Sequence, residues 1–223
     1  MLRNTIFALV LGLSGAAVLI FLGVWQMQRL AWKQDIIQRA ATMIAAEPAP
    51  LPAAPDPATD RYRAVSVSGR FTGDEAHVLT STREEGPGFR VIAAYETEDG
   101  RRILIDRGYI PETEKATARP GRAASVTGNL AWPDDMTPST PGYNADRAIW
   151  YGRDVPGISA LLKTEPVLII ASSDTGDGVW SQPVTTEGFR NDHFQYALTW
   201  FLLATVWLGM TVYLLWRIRT RTV

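Results

Sequence analysis

The residue with the most specific chemistry is His193, one of only two histidines in the chain. It directly precedes residues 194–216, 23 residues without a charge, which is long enough for a membrane-spanning helix. On a helix, residues at i, i+3, i+4 and i+7 share one face. Here those positions hold His193, Tyr196, Ala197 and Trp200. A ring nitrogen beside a small residue and two aromatic rings would suit a flat, apolar ligand that carries a metal, such as haem.

The same stretch also has an interpretation without a cofactor. A histidine at the membrane–water interface can be an ordinary first residue of a helix that Asp192 or Asn191 caps. Tyrosine and tryptophan form interfacial belts in membrane proteins with no ligand nearby. The residues alone therefore leave both roles of His193 open.

The composition excludes several other kinds of chemistry. The chain has no cysteine, so disulfides, thiolate zinc sites, iron–sulfur clusters and paired copper-binding thiols are excluded. His77 and His193 are too few for a multi-histidine metal centre. A net charge of −1 without a basic block argues against nucleic acid as a partner. There is no Gly-x-Ser-x-Gly motif, so an envelope hydrolase is the weakest hypothesis and we expect no enzyme.

A second apolar run, residues 6–25, contains 20 residues without a charge and predicts a retained transmembrane helix over residues 1–26. Gly12, Gly15 and Ala16 are small residues that would let another helix approach closely. Residues 27–60 are predicted to form a helical stalk followed by a linker. The linker contains five prolines, at positions 48, 50, 52, 55 and 57.

Residues 61–190 are predicted to form an extracytoplasmic, mainly-β domain. Val65, Val67 and Phe71 alternate with polar residues, as in a half-buried strand. Gly86-Pro87-Gly88 and Asp99-Gly100 predict turns between strands. We expect a small antiparallel barrel or sandwich. Its other predicted strands cover residues 76–82, 89–95, 102–110, 124–130 and 166–172, with one short helix over residues 157–163.

The charges at the C-terminus predict the orientation in the membrane. Residues 191–216 are expected to form an interfacial motif and the second transmembrane helix, and residues 217–223 a basic cytoplasmic tail. That tail contains Arg217, Arg219 and Arg221 and no acidic residue. Two spans then place both termini in the cytoplasm of a bacterial cell. The protein would then lie in the inner membrane, with its central domain in the periplasm.

Four motifs, in this order, resemble the Surfeit locus assembly-factor family, which serves cytochrome c oxidase. They are GVWQMQRLAWK at residues 23–33, Tyr-Arg-x-Val-x-Val-x-Gly-x-Phe at 62–71, DRGYIP at 106–111 and Asn-x-His-x-x-Tyr-Ala-x-Thr-Trp at 191–200. Their order, their spacing and the two apolar ends all match, so the resemblance covers nearly the whole chain. Asp106 and Tyr109 depart from it, because asparagine and tryptophan are common there.

The resemblance implies a chaperone that binds haem a as cargo and assists its insertion into subunit I of the oxidase. Carried onto this chain, it makes His193 the axial ligand of the haem iron. Trp200 and Tyr196 would pack near the macrocycle, and Arg29 would pair with a propionate. Trp25, an interfacial anchor, completes the expected cofactor-binding residues.

The resemblance also leaves an alternative function open. In that alternative the protein is a haem-free membrane scaffold that stabilises an assembly intermediate of the oxidase, and His193 is a cap or a contact residue. The expected partners are subunit I and membrane lipid, with haem a synthase as a further candidate and no nucleic acid.

Overall fold

The computed structural model describes residues 2–220, apart from the side chains of Leu2 and Asn4. The chain forms two units, one of Met1–Arg39 with Thr186–Val223 and one of Ala40–Thr185, here called the sheet domain. The helices are α1 (Leu2–Ile44), α2 (Val155–Leu162) and α3 (His193–Thr220), and a short 3-10 turn covers Glu112–Glu114. The strands are β1 (Ala49–Pro50), β2 (Ala64–Thr82), β3 (Gly86–Thr97), β4 (Arg102–Pro111), β5 (Ala123–Ala131) and β6 (Leu168–Ala171).

The helices α1 and α3 are both long and apolar enough to cross a membrane, by length and composition. Only 22% of the most apolar window of α1 and 6% of that of α3 is buried, whereas the core helix of a soluble protein is mostly buried. The two helices therefore suggest a membrane protein. The helix α1 is continuous to Ile44 because no proline occurs before Pro48. Residues 221–223 of the predicted tail, including Arg221, lie outside the described residues.

The sheet domain confirms the prediction of a mainly-β domain between two apolar helices. Its strands pair in the order β1-β2-β3-β4-β6-β5, and β2 also pairs with β5, so the pairings close into a ring. The sheet is mixed and not purely antiparallel, because β4 pairs with β6 and β1 with β2 in parallel. A parallel pair needs a long crossover. The connection from β4 to β6 supplies it and includes β5 and α2.

The strand β2 is one element of 19 residues where the sequence predicts two. Its first part, Ala64–Arg70, pairs with β5, and Gly69–Thr82 pairs with β3. The register shifts between Phe71 and Glu75, where Gly73 has φ +94°. A positive φ is easy for glycine, so the strand bends at this position without a break and contributes to two sides of the ring.

Large apolar side chains fill one core cluster of the sheet domain, and Tyr95 is the polar exception. Its hydroxyl donates to the carbonyl oxygens of Val67, at 3.3 Å, and of Ala124. Burial, together with the nearby charge of Glu98, raises the pKa of Tyr95 to about 12. The hydroxyl therefore stays protonated and remains a donor. The cluster also includes Val65, Phe71, Ile103, Ile105, Leu130 and Ile169.

Candidate functional site

The candidate site lies on α1 and α3, which pack through small residues. A Cβ atom added at Gly15 would lie 2.5 Å from the indole of Trp207, and one added at Gly23 would lie 2.5 Å from the ring of Phe201. The indole Nε1 of Trp207 also donates to the carbonyl oxygen of Gly12, at 3.0 Å. The small residues of the first apolar run thus allow the close approach of α3.

His193 is the first residue of α3 and is half-buried. Its Nδ1 lies 2.7 Å from Oε1 of Gln26 on α1. An amide oxygen only accepts hydrogen bonds, so the ring nitrogen is the donor. The other ring nitrogen, Nε2, has no hydrogen-bond partner among residues 2–220. A nitrogen with a free lone pair is what a metal ligand requires.

Within the described part of the chain, neither Asn191 nor Asp192 caps α3 with its side chain. The carboxylate of Asp192 accepts from Arg190 at 2.9 Å, and only the backbone oxygen of Asp192 accepts from Tyr196 N. The side-chain oxygen of Asn191 is buried and has no partner within that part. Capping by these two side chains therefore does not account for the sequence around His193.

The predicted aromatic face of α3 divides into two sides. Ala197 is 1% exposed and faces the packed side, and Trp200 is half-buried, whereas Tyr196 is 55% exposed. Helical residues are about 100° apart, so Tyr196 and Ala197 lie on opposite flanks of the His193 direction. The structure therefore places Trp200 nearer than Tyr196 to the packed side of α3.

Arg29 lies on α1 one turn beyond Gln26, a rise of about 4.5 Å. Its guanidinium carbon is 4.7 Å from the ring centroid of Trp32 and 5.8 Å from that of Trp25. Both indoles are about half exposed. No carboxylate pairs with Arg29 among the described residues, so this cation is held by aromatic faces and is open to an anionic ligand.

The side chains of this site fit a haem in their chemistry. His193 Nε2 offers a free nitrogen, Arg29 offers a cation, and the exposed ring of Phe194 offers apolar surface. A bare metal ion fits less well, because residues 2–220 contain no group of three or more His, Cys, Asp or Glu that could hold one. A single imidazole is sufficient for a metal that its own macrocycle already ligates.

The other histidine, His77, is engaged within the sheet domain. Its Nε2 lies 3.0 Å from Oε1 of Glu75, which also accepts from Arg119 at 3.0 Å. Burial acts to raise the pKa of Glu75, but the hydrogen bonds and charges of His77 and Arg119 outweigh it and the pKa is lowered. His77 is thus hydrogen-bonded in a cluster with Glu75 and Arg119, unlike His193.

Sequence reasoning missed Gln26 as a residue of the site. It lies inside the first motif that resembles the family, but no local pattern distinguishes it from Gln28 two residues later. Only the packing of α1 on α3 distinguishes Gln26, because it brings that one amide to His193.

Comparisons with known proteins place the chain in a family. A sequence profile of the SURF1 family matches residues 13–205, a range that contains all four motifs. The chain is similar to Surfeit locus protein 1 of Rattus norvegicus, 30% identical over 205 residues, and of Xenopus tropicalis, 31% identical over 206 residues. Each of these alignments covers 81% of this chain and 66% of the relative. A SURF1-like protein of Monosiga brevicollis is 29% identical over 224 residues, which is 91% of this chain and 85% of that protein.

The chain thus spans about 66% of the length of the Rattus norvegicus and Xenopus tropicalis relatives. The family match covers most of α1, the sheet domain, the His193 motif and the first half of α3. It suggests a non-enzymatic role. The protein belongs to the SURF1 family, which is generally known as a family of cytochrome oxidase assembly factors.

Proposed function

We propose that this protein binds haem a and assists its insertion into subunit I of cytochrome c oxidase. The observation that carries the proposal is the half-buried His193, whose Nδ1 is held by Gln26 while Nε2 has no partner within residues 2–220. Membership of an oxidase assembly family supplies the biological setting.

In this proposal the protein provides the ligand and the surroundings, and the haem is cargo. The bound haem would supply an iron that accepts a neutral imidazole nitrogen, and His193 Nε2 would be that ligand. Trp200 and Tyr196, which lie on one flank of the His193 direction on α3, would contact the ring. Arg29, between Trp25 and Trp32, would pair with a propionate. One protein ligand can be replaced more easily than two, which suits a carrier.

The partners follow from this role. The haem would pass to subunit I, and haem a synthase would be its source. Lipid would surround the two apolar helices, whose large side chains are mostly exposed. We place the protein in the bacterial inner membrane, with both termini in the cytoplasm and the sheet domain in the periplasm. Arg217 and Arg219 in the last turn of α3 support this orientation.

The test is the visible spectrum of the full-length protein, purified in detergent from a host that makes haem a. We expect a haem a band in the parent, and we expect it to be lost in His193→Ala because the iron loses its ligand. His77→Ala is the matched control, since His77 is bonded to Glu75 in the sheet domain, and it should keep the band.

Two results would contradict the proposal. A band that is unchanged in His193→Ala would remove His193 as the essential ligand. A folded parent protein that shows no haem a, even after haem a is added, would favour the alternative function, a haem-free scaffold for an oxidase assembly intermediate.

A further inference from the structure

The hydrogen bond between Gln26 and His193 joins residues that are 167 positions apart in the chain. Both side chains are half-buried between α1 and α3. Another polar contact between these helices, from Trp207 to Gly12, uses a backbone oxygen. The Gln26 amide is therefore a side chain of α1 that is hydrogen-bonded directly to the imidazole of His193.

The orientation of that amide determines which ring nitrogen is available. A neutral imidazole carries one proton, and the hydrogen bond at one nitrogen sets where the proton lies. With Oε1 of Gln26 facing Nδ1, the proton is on Nδ1 and Nε2 carries the lone pair. With the amide reversed, its NH2 group would donate to Nδ1. The proton would then be on Nε2, and that nitrogen could not bind a metal.

We propose that Gln26 is a positioning residue for His193, which holds the imidazole in the Nδ1-protonated form and presents Nε2 to the haem iron. The choice of iron as the recipient rests on the proposed function, whereas the choice of tautomer does not. A hydrogen-bond acceptor behind a histidine ligand fixes the ring orientation and raises the basicity of the ligating nitrogen. Losing such an acceptor typically lowers metal affinity or activity about 10- to 100-fold.

The tautomer can be measured without haem. The chain has only two histidines, so a full-length protein labelled with 15N-histidine gives two sets of imidazole signals, and His77→Gln assigns them. The spectra are recorded at mildly alkaline pH. We expect a protonated Nδ1 and an unprotonated Nε2 for His193 in the parent. Gln26→Leu should shift His193 toward the Nε2-protonated form.

Matched variants separate positioning from simple helix packing. Gln28→Leu makes the same change at an exposed position of α1 and should leave the His193 signals unchanged. Gln26→Glu keeps an oxygen acceptor and should keep the proton on Nδ1. If Gln26→Leu does not fold, as judged by circular dichroism, the position of the His193 proton in the parent still tests the proposal. A parent His193 with its proton on Nε2 would overturn it.

A haem titration tests the second half of the proposal. We expect Gln26→Leu to weaken haem a binding about 10- to 100-fold and to shift the visible band, while Gln26→Glu and Gln28→Leu bind within a fewfold of the parent. Equal affinity and equal spectra in the parent and Gln26→Leu would overturn the positioning role. A parent that binds no haem a overturns the proposed function and the assignment of iron, whereas the NMR result decides the tautomer independently.

Discussion

At the residue scale, Asp106 shows how the sheet domain controls a buried charge. Its side chain is 0% exposed and accepts from Arg90 Nε at 2.8 Å and from the backbone nitrogen of Gly108 at 3.2 Å. Arg153 lies 3.9 Å away. A buried carboxylate is tolerated only with such partners, because leaving water is costly for an unpaired charge. Asparagine, which is common at this position in the family that the motifs resemble, is uncharged and would not need two cations.

We predict that Asp106→Ala lowers the free energy of unfolding by about 3–5 kcal/mol, because it leaves Arg90 without its buried counter-charge, whereas Arg153 keeps Asp135 at 2.6 Å. The measurement is denaturant unfolding of the full-length protein in detergent, followed by tryptophan fluorescence. Asp74→Ala is the control, since Asp74 is 59% exposed although it pairs with Arg102 at 2.6 Å. That variant should change the free energy by no more than about 1 kcal/mol. Equal losses in the two variants would contradict the prediction.

A second residue-scale prediction concerns Asp177, which accepts from Arg107 at 2.5 Å and Arg122 at 3.1 Å. Partial burial acts to raise the pKa of Asp177, but the bonds from the two guanidinium groups outweigh it and the pKa is lowered. The carboxylate therefore stabilises the fold above the ordinary aspartate pKa of about 3.9, and this stabilisation is lost as pH falls through the lowered value.

We expect Asp177→Asn to be less stable than the parent at neutral pH and to lose less stability on acidification below about pH 4. Thermal unfolding of both proteins over a series of pH values measures this. If the thermal stability of both proteins falls equally steeply with decreasing pH, Asp177 does not contribute through its charge.

At the element scale, the strand β4 contains a bulge that explains the Asp-Arg-Gly motif. Val91 pairs with Gly108 but Ile92 pairs with Asp106, so Arg107 is the extra residue. Gly108 has φ +118°, and a Cβ atom there would lie 2.0 Å from the carbonyl oxygen of Trp180. The glycine is thus required both by the backbone conformation and by the neighbouring chain.

We predict that Gly108→Ala lowers the free energy of unfolding by about 3 kcal/mol. The positive φ contributes about 1–2 kcal/mol of this loss, and displacing the backbone of Trp180 contributes about 1–3 kcal/mol. Gly100→Ala is the matched control, because Gly100 has φ +86° but no atom within 4 Å of an added Cβ. It should cost only the conformational part, about 1–2 kcal/mol. Denaturant unfolding compares the two, and a Gly108→Ala cost no larger than that of Gly100→Ala would count against the close approach.

The pairing of α1 with α3 is also testable at this scale, because the natural chain contains no cysteine. A Cβ atom at Gly12 would lie 3.0 Å from Cβ of Thr211, so the helices need to separate only slightly to reach the Cβ–Cβ distance of about 3.5–4.5 Å in a disulfide. We expect Gly12→Cys with Thr211→Cys to cross-link within one chain when membranes are oxidised. Gly209 has open space around it, so Gly12→Cys with Gly209→Cys should not cross-link. Gel mobility reports the cross-link. A cross-link in the Gly12→Cys, Gly209→Cys protein but not in the Gly12→Cys, Thr211→Cys protein would contradict this helix packing.

At the scale of the whole molecule, the proposed orientation places the sheet domain outside the cytoplasm. A single cysteine at Gly142, which is exposed with no atom near an added Cβ, should react with a membrane-impermeant maleimide in cells with a permeable outer membrane. A cysteine at Thr220, the last residue of α3, should react only after the inner membrane is broken. Labelling of Thr220→Cys in intact cells would contradict the orientation.

The sequence by itself determined the features that depend on local pattern. Residues 6–25 and 194–216 are long charge-free runs, and their length alone predicts the two apolar helices. Alternating residues predicted the strands, and Asp99-Gly100 predicted the β3–β4 turn, where Gly100 has φ +86°. His193 could also be singled out, because a lone imidazole beside an apolar run is unusual in itself.

Only the tertiary structure decided which distant residues meet. The merging of two predicted strands into β2 and its pairing with both β3 and β5 depend on how the ring closes. The parallel pairing of β4 with β6 depends on a crossover whose path no local pattern specifies. Gln26 became a partner of His193 because small residues let α1 and α3 pack closely, and the relative position of two packed helices is set by side-chain fit along their whole contact.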